Sequence, residues 1–213
     1  MDLGTLALFV PAAVALIVTP GPDSLYVLSR GVGAGRSVGV RAALGVSTGV
    51  LVHTAAAALG LSVLFRTSQL AYAVVKYVGA AYLVYLGVVA IRGRDATSLG
   101  EEVEAAGGAG DRTGDDRAGG FARGVLVNVL NPKVALFFLA FLPQFASGAD
   151  APLEMGLLGA TYALLTFAYL GGVAVFSDAL GRRLDGREGT VQAASGVVLV
   201  GLGVGLLAEG RLG

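Results

Sequence analysis

The chain has no cysteine and no tryptophan. Without cysteine there is no disulfide, no thiolate metal site and no thiol redox chemistry. That excludes a membrane electron carrier working through paired thiols. There is one histidine, His53, and the lysines are confined to Lys76 and Lys133. A lone imidazole with no cysteine makes a poor metal centre, so His53 is read as a packed, hydrogen-bonded side chain. No metal or other cofactor is implied. Charge is also scarce, at 14% of residues, where a soluble domain carries roughly 25%. The 15 basic and 15 acidic side chains balance. No basic cluster with interleaved aromatics occurs, so nucleic acid is not an expected partner.

What the chain has instead is apolar sequence in long blocks. It is 55% hydrophobic, with a mean hydropathy of +0.76. A helix needs about 20 apolar residues to cross a hydrocarbon core of roughly 30 Å. Six stretches qualify: 3–19, 42–65, 69–91, 122–145, 154–177 and 190–208. They are continuous runs of Ala, Leu, Val and Gly. A membrane β-barrel would alternate apolar and polar residues, so the spans are expected to be helices. The N-terminus carries Asp2 and no basic residue before its apolar run. A secretory signal has a basic n-region, so 3–19 is read as a retained first span.

Residues 93–120 break the pattern. "GRDATSLGEEVEAAGGAGDRTGDDRAGG" is rich in glycine and acid and has no hydrophobic period, as in a flexible linker. It divides the chain into a first three-helix repeat (1–92) and a second (121–213). An odd number of spans in each half places the two repeats in opposite orientations, the inverted-repeat arrangement of secondary transporters. The expected class is therefore an all-α integral membrane protein, multi-pass in the cell membrane. Arg30, Arg36 and Arg41, then Arg92, Arg94, Arg112, Arg117 and Arg123, then Arg182, Arg183 and Arg187 all fall on one side. The opposite side receives Arg66 and Arg211. The positive-inside rule then puts the linker in the cytoplasm and both termini outside.

Two spans are interrupted. In "TPGPDS" (residues 19–24), proline removes a backbone donor and clashes with the preceding turn. In "VNVLNPKVALFF" (residues 127–138), Asn131 suits an N-cap and Pro132 the first helical position. Aligned on Pro22 and Pro132, the breaks occupy corresponding places in the two halves, which points to a transporter binding site. Each half-helix start offers unpaired N–H groups and partial positive charge to a substrate carboxylate. Unwound carbonyls and Asp23 suit an ammonium group. Together they suit a zwitterion such as an amino acid. The simpler reading is that each proline only kinks or ends a helix, with Asp23 capping the helix that follows near Arg30.

The candidate site comprises Pro20, Gly21, Pro22 and Asp23 with Asn128, Asn131, Pro132 and Lys133. Ionisable side chains inside spans are costly and are functional candidates by default. Asp23 is the candidate for coupling to the proton gradient. Lys133 is free to pair with Asp23, to contact a substrate carboxylate, or to snorkel. Lys76 is a second coupling candidate, although its place near a span end also suits snorkelling. Gly45 with Gly49, and Gly201 with Gly205, form small-xxx-small steps that let helices approach. Self-association into a homo-oligomer is left open by the sequence.

The blocks "TPGPDSLYVLSRG", "KYVGAAYLVYLG" and "FARGVLVNVLNPKVALFFLAFLPQF" together resemble the LysE/RhtB family of amino-acid exporters, over nearly the whole chain. The family's Pro-Gly motif falls on Pro20, Gly21 and Pro22. Its Asn-Pro-Lys motif falls on Asn131, Pro132 and Lys133, with Asn128 just upstream. Its lysine block falls on Lys76, Gly79, Ala80, Tyr82 and Leu83. The resemblance implies efflux of amino acids or related metabolites from the cytoplasm, driven by an ion gradient, and no enzymatic activity. A divalent-cation exporter of the same fold is the alternative. It would want several oxygen or nitrogen ligands within spans. An intramembrane serine protease is a further rival, but Ser47 and His53 are six residues apart, about 600° around a helix, and so point away from one another on different faces. A non-transporting scaffold would not require broken helices.

Overall fold

A computed structural model describes residues 3–67, 69–92, 116–146, 150–177 and 188–209. Among them every regular element is helical. They are α1 (Leu3–Val18), α2 (Pro22–Ala34), α3 (Arg36–Thr67), α4 (Gln69–Ile91), α5 (Asp116–Val129), α6 (Pro132–Ala140), a 3₁₀ turn (Leu142–Phe145), α7 (Ala151–Val175) and α8 (Glu188–Glu209). α5 begins inside the stretch read as linker, four residues before its expected end at 120. The acidic body of the linker, and Asp178 with Arg182, Arg183 and Arg187, lie outside the described residues.

Both interruptions are real breaks. α1 and α2 meet at 55°, and α5 meets the segment Pro132–Phe145 at 53°. Two straight helices, α3 and α7, are long and apolar enough to cross a membrane, and each bent pair qualifies if taken as one span. α4 and α8 cover the residues expected for the third and sixth spans, but among the described residues neither is one of the helices long and apolar enough to cross. Between α2 and α3 a single residue, Gly35, makes the reversal at φ +91°, a backbone conformation that favours glycine.

The two halves interlock. α3 packs on α5 and α7, and α4 packs along α8. α1 leans on α7 and α8 of the second half, while α6 leans on α3 and α4 of the first. Glycine sets how close these helices come. A Cβ on Gly45 would strike the Phe121 carbonyl, and one on Gly49 would lie 2.8 Å from the Asn128 side chain. This is the close packing expected of the first glycine step. The second step is not used that way, because nothing lies within 4 Å of a Cβ on Gly201 or Gly205. The α4–α8 contact runs instead through Gly87, Gly196 and Gly203. The expectation that Gly201 and Gly205 let a helix approach is not met: at about 100° per residue they lie on the side of α8 opposite Gly196 and Gly203, which meet α4.

Two apolar clusters flank the breaks. The larger joins α1, α6, the 3₁₀ turn and α7 through Phe9, Phe137, Phe138, Phe141 and Tyr162. Its rings touch in tilted and edge-on contacts, with centroids 4.9 Å apart for Phe137–Phe141 and 5.2 Å for Phe138–Tyr162. The smaller cluster joins α2, α3, α5 and α7 through slighter side chains, among them Val27, Ala42, Ala43, Val46 and Ala174. At that end the Tyr26 hydroxyl donates to the Gly120 carbonyl across 3.0 Å.

Candidate functional site

The two breaks meet. The last turn of α1, the start of α2, the last turn of α5 and the start of α6 converge on one small cavity. Its lining includes Leu16, Asp23, Asn128, Lys133, Tyr162 and Thr166. It has room for about one water molecule.

Each polar side chain is placed by its own backbone. Pro22 opens α2 at its first position, where its missing N–H costs nothing. Gly21 is the N-cap and offers no side chain to the turn. The amides of Asp23 and Ser24 are therefore among the donors that α2 itself leaves unpaired. Asp23 sits in that first turn, where helix partial charge favours a carboxylate. It is 8% exposed. The second break is closed locally. Asn131 caps α6, its Oδ1 accepting from the Lys133 amide at 3.0 Å, and its own amide donates to the Asn128 carbonyl at 2.9 Å. His53 donates from Nε2 to that same carbonyl at 3.0 Å, which assigns the proton to Nε2 and makes His53 the packed, hydrogen-bonded residue the sequence suggested.

The halves are then joined across the cavity. Asn128 Nδ2 donates to Asp23 Oδ2 at 2.9 Å. The Lys133 ammonium crosses the first break and donates to the carbonyls of Thr19 at 2.9 Å and Leu16 at 3.2 Å. It therefore caps the C-terminus of α1, where cations are favoured. This is none of the arrangements the sequence left open: the amine is bonded to main-chain carbonyls at the end of α1, not to the Asp23 carboxylate. Gly21 makes the crossing possible, since a Cβ there would lie 3.0 Å from Lys133 Nζ. Among the described residues, Asp23 Oδ1, Asn128 Oδ1, Asn131 Nδ2 and Thr166 Oγ1 are buried without a hydrogen bond. Such groups are costly in a dry interior, and four of them in one region leave polar capacity for a further molecule.

The structure brings Gly21, Asp23, Asn128, Asn131 and Lys133 together. Pro22 and Pro132 each stand at the first position of a half-helix and act through backbone shape. Pro20 is exposed at the surface of the break. Lys76 lies in α4, three residues before the Gly79 that packs on Ala140; its side chain is outside the described residues. Sequence reasoning missed Thr166 and Tyr162 of α7. Thr166 carries a legible signal, a polar residue in the middle of an apolar span. Ser47, the protease candidate, donates to the Ala43 carbonyl of its own helix. Among the described residues no three His, Asp or Glu side chains converge in a way that would hold a metal ion.

Known membrane proteins resemble this chain over most of its length. Over 203 residues the chain is 28% identical to the uncharacterized membrane protein YrhP of Bacillus subtilis, covering 94% of this chain and 97% of that protein. It is 32% identical to the uncharacterized membrane protein PA4757 of Pseudomonas aeruginosa, covering 93% and 92%. It is 30% identical to the leucine efflux protein of Salmonella typhimurium over 164 residues, covering 76% and 74%. No solved structure matches. Residues 14–210, which hold both breaks and all the residues around the cavity, match the family described as LysE type translocator, and the chain belongs to that family.

Proposed function

We propose that the chain is a secondary transporter that exports amino acids from the cytoplasm, with leucine as the first substrate to test. One observation carries the reading: four half-helix ends meet around a buried carboxylate, a buried ammonium and unpaired amide groups. A zwitterion needs such a set, an acceptor for its ammonium and donors for its carboxylate. Asp23 Oδ1 and the carbonyls at the end of α1 supply acceptors. The start of α2 and Asn131 Nδ2 supply donors. The rest of the lining is apolar, with Leu16, Ile17, Val134 and Leu170. Asp23 is the one acidic residue in that lining, so a substrate with a second positive charge finds no second partner. The leucine efflux relative supports the same choice.

The remaining parts follow from this reading. The six spans form two inverted repeats, with both termini outside and 93–120 in the cytoplasm. Asp23 exchanges between a proton and the substrate ammonium, so export is antiport driven by the proton gradient. The test is efflux of labelled leucine, isoleucine, lysine and threonine from proteoliposomes under an imposed pH gradient, for wild type beside Asp23→Asn. Gradient-driven leucine flux lost in the variant is expected. Normal flux in Asp23→Asn at every pH would overturn the coupling role. Absence of flux for every amino acid would overturn the export reading.

A further inference from the structure

The cavity is too small for any amino acid, and the α1 carbonyls that would hold its ammonium are already taken. Lys133 reaches from the start of α6 to the end of α1, passes over Gly21, and places its ammonium on two main-chain carbonyls. Those carbonyls belong to the C-terminal turn of α1 and the residue that follows it, where partial negative charge gathers. A substrate ammonium has the same charge, the same three donors and nearly the same size as the lysine head group. It would want the same seat. We infer that Lys133 is a tethered stand-in for the substrate ammonium, filling the α1 carbonyl seat whenever the carrier is empty.

Three features of the site agree. First, the carboxylate and the ammonium line one cavity yet are not bonded to each other, so each keeps a partner that can be exchanged. Second, Lys133 ties the two repeats together at their breaks; with its head group in place α1 and α6 are held as one body. An empty carrier must return across the membrane in some closed form, and a filled ammonium seat supplies it. Third, Gly21 leaves the lysine stem a path over the break without a clash. A tether makes the competitor always present, whatever the concentration of substrate. If Lys133 holds the seat about nine-tenths of the time, apparent substrate affinity is weakened about tenfold.

This inference rests on the export reading, and its test separates the two. Labelled leucine is followed in proteoliposomes as net efflux into leucine-free buffer and as exchange against external leucine. Wild type, Lys133→Met and Lys133→Arg are compared. Exchange never needs the empty carrier to return, whereas net efflux does. Lys133→Met is expected to raise the ratio of exchange to net efflux at least about tenfold and to lower the half-saturating leucine concentration about tenfold. Lys133→Arg keeps a cation and is expected to hold the ratio near wild type. A wild-type ratio in Lys133→Met overturns the inference alone. So does an equal loss of both fluxes in a protein that purifies monodisperse with a wild-type melting temperature, because Lys133 would then be a direct substrate ligand. No wild-type flux in either mode, for leucine or for any amino acid of the panel, overturns the export reading and the inference with it.

Discussion

Asn128→Ala tests the connection between the two halves most directly. It removes the 2.9 Å hydrogen bond from Asn128 Nδ2 to Asp23 Oδ2 and little else. The Asn128 carbonyl keeps its bonds from the Asn131 amide and from His53. The close approach to Gly49 is relieved, not tightened. A hydrogen bond to a charged group contributes about 1.5–3 kcal/mol. At 1.4 kcal/mol per factor of ten, kcat/KM for export should fall about 10- to 150-fold. Asn128 is fully buried, and its missing carboxamide leaves room for a water that replaces part of the bond, so the lower end is expected. The assay is initial efflux rate across a range of internal leucine, with the thermal midpoint in detergent read for the same change in wild-type and Asp23→Ala backgrounds. In the Asp23→Ala background the Asn128 change should add almost nothing, because the two residues act through one contact. A single variant within twofold of wild type would refute the reasoning. So would a full, additive loss in the double variant.

Packing and capping give two further tests. In Gly49→Ala the new Cβ would lie 2.8 Å from Asn128 and 3.0 Å from the Val125 carbonyl, an overpacking worth about 1–3 kcal/mol. The thermal midpoint in detergent should drop, while Gly205→Ala, into open space, should stay within about 0.5 kcal/mol. Equal effects of the two would show that the α3–α5 contact is not the tight one. Asn131→Ala removes the cap on the Lys133 amide and should lower stability by about 1 kcal/mol, read from the same midpoint. An unchanged midpoint would mean that another group caps α6 equally well.

Much of the fold could be read from the chain because membrane helices are written in continuous apolar sequence. The lengths of the runs set the helices, and α4 falls on residues 69–91 as expected. The breaks were legible for a covalent reason. Proline has no N–H to donate and crowds the turn before it; in "TPGPDS" two prolines flank a glycine and in "LNPK" one follows a capping asparagine, and both stop a helix where the lone Pro11 inside α1 does not. Asn131 as a cap followed from residue type alone. The partner of each polar side chain was a different matter. Asp23 and Asn128 are 105 residues apart, and Lys133 reaches a carbonyl 114 residues away. No local pattern encodes such a contact; it depends on how α1, α2, α5 and α6 cross. Main-chain carbonyls are also identical at every position in a sequence, so the one seat that takes the Lys133 ammonium became visible only once the helix ends were set beside each other. The same holds for the glycines, where spacing marks a small face but the helix that fills it is chosen by packing. The sequence by itself determined an all-helical membrane chain with two breaks at matched places. The tertiary structure alone decided that the breaks meet, that Asn128 holds Asp23, and that Lys133 bonds to backbone and not to the carboxylate.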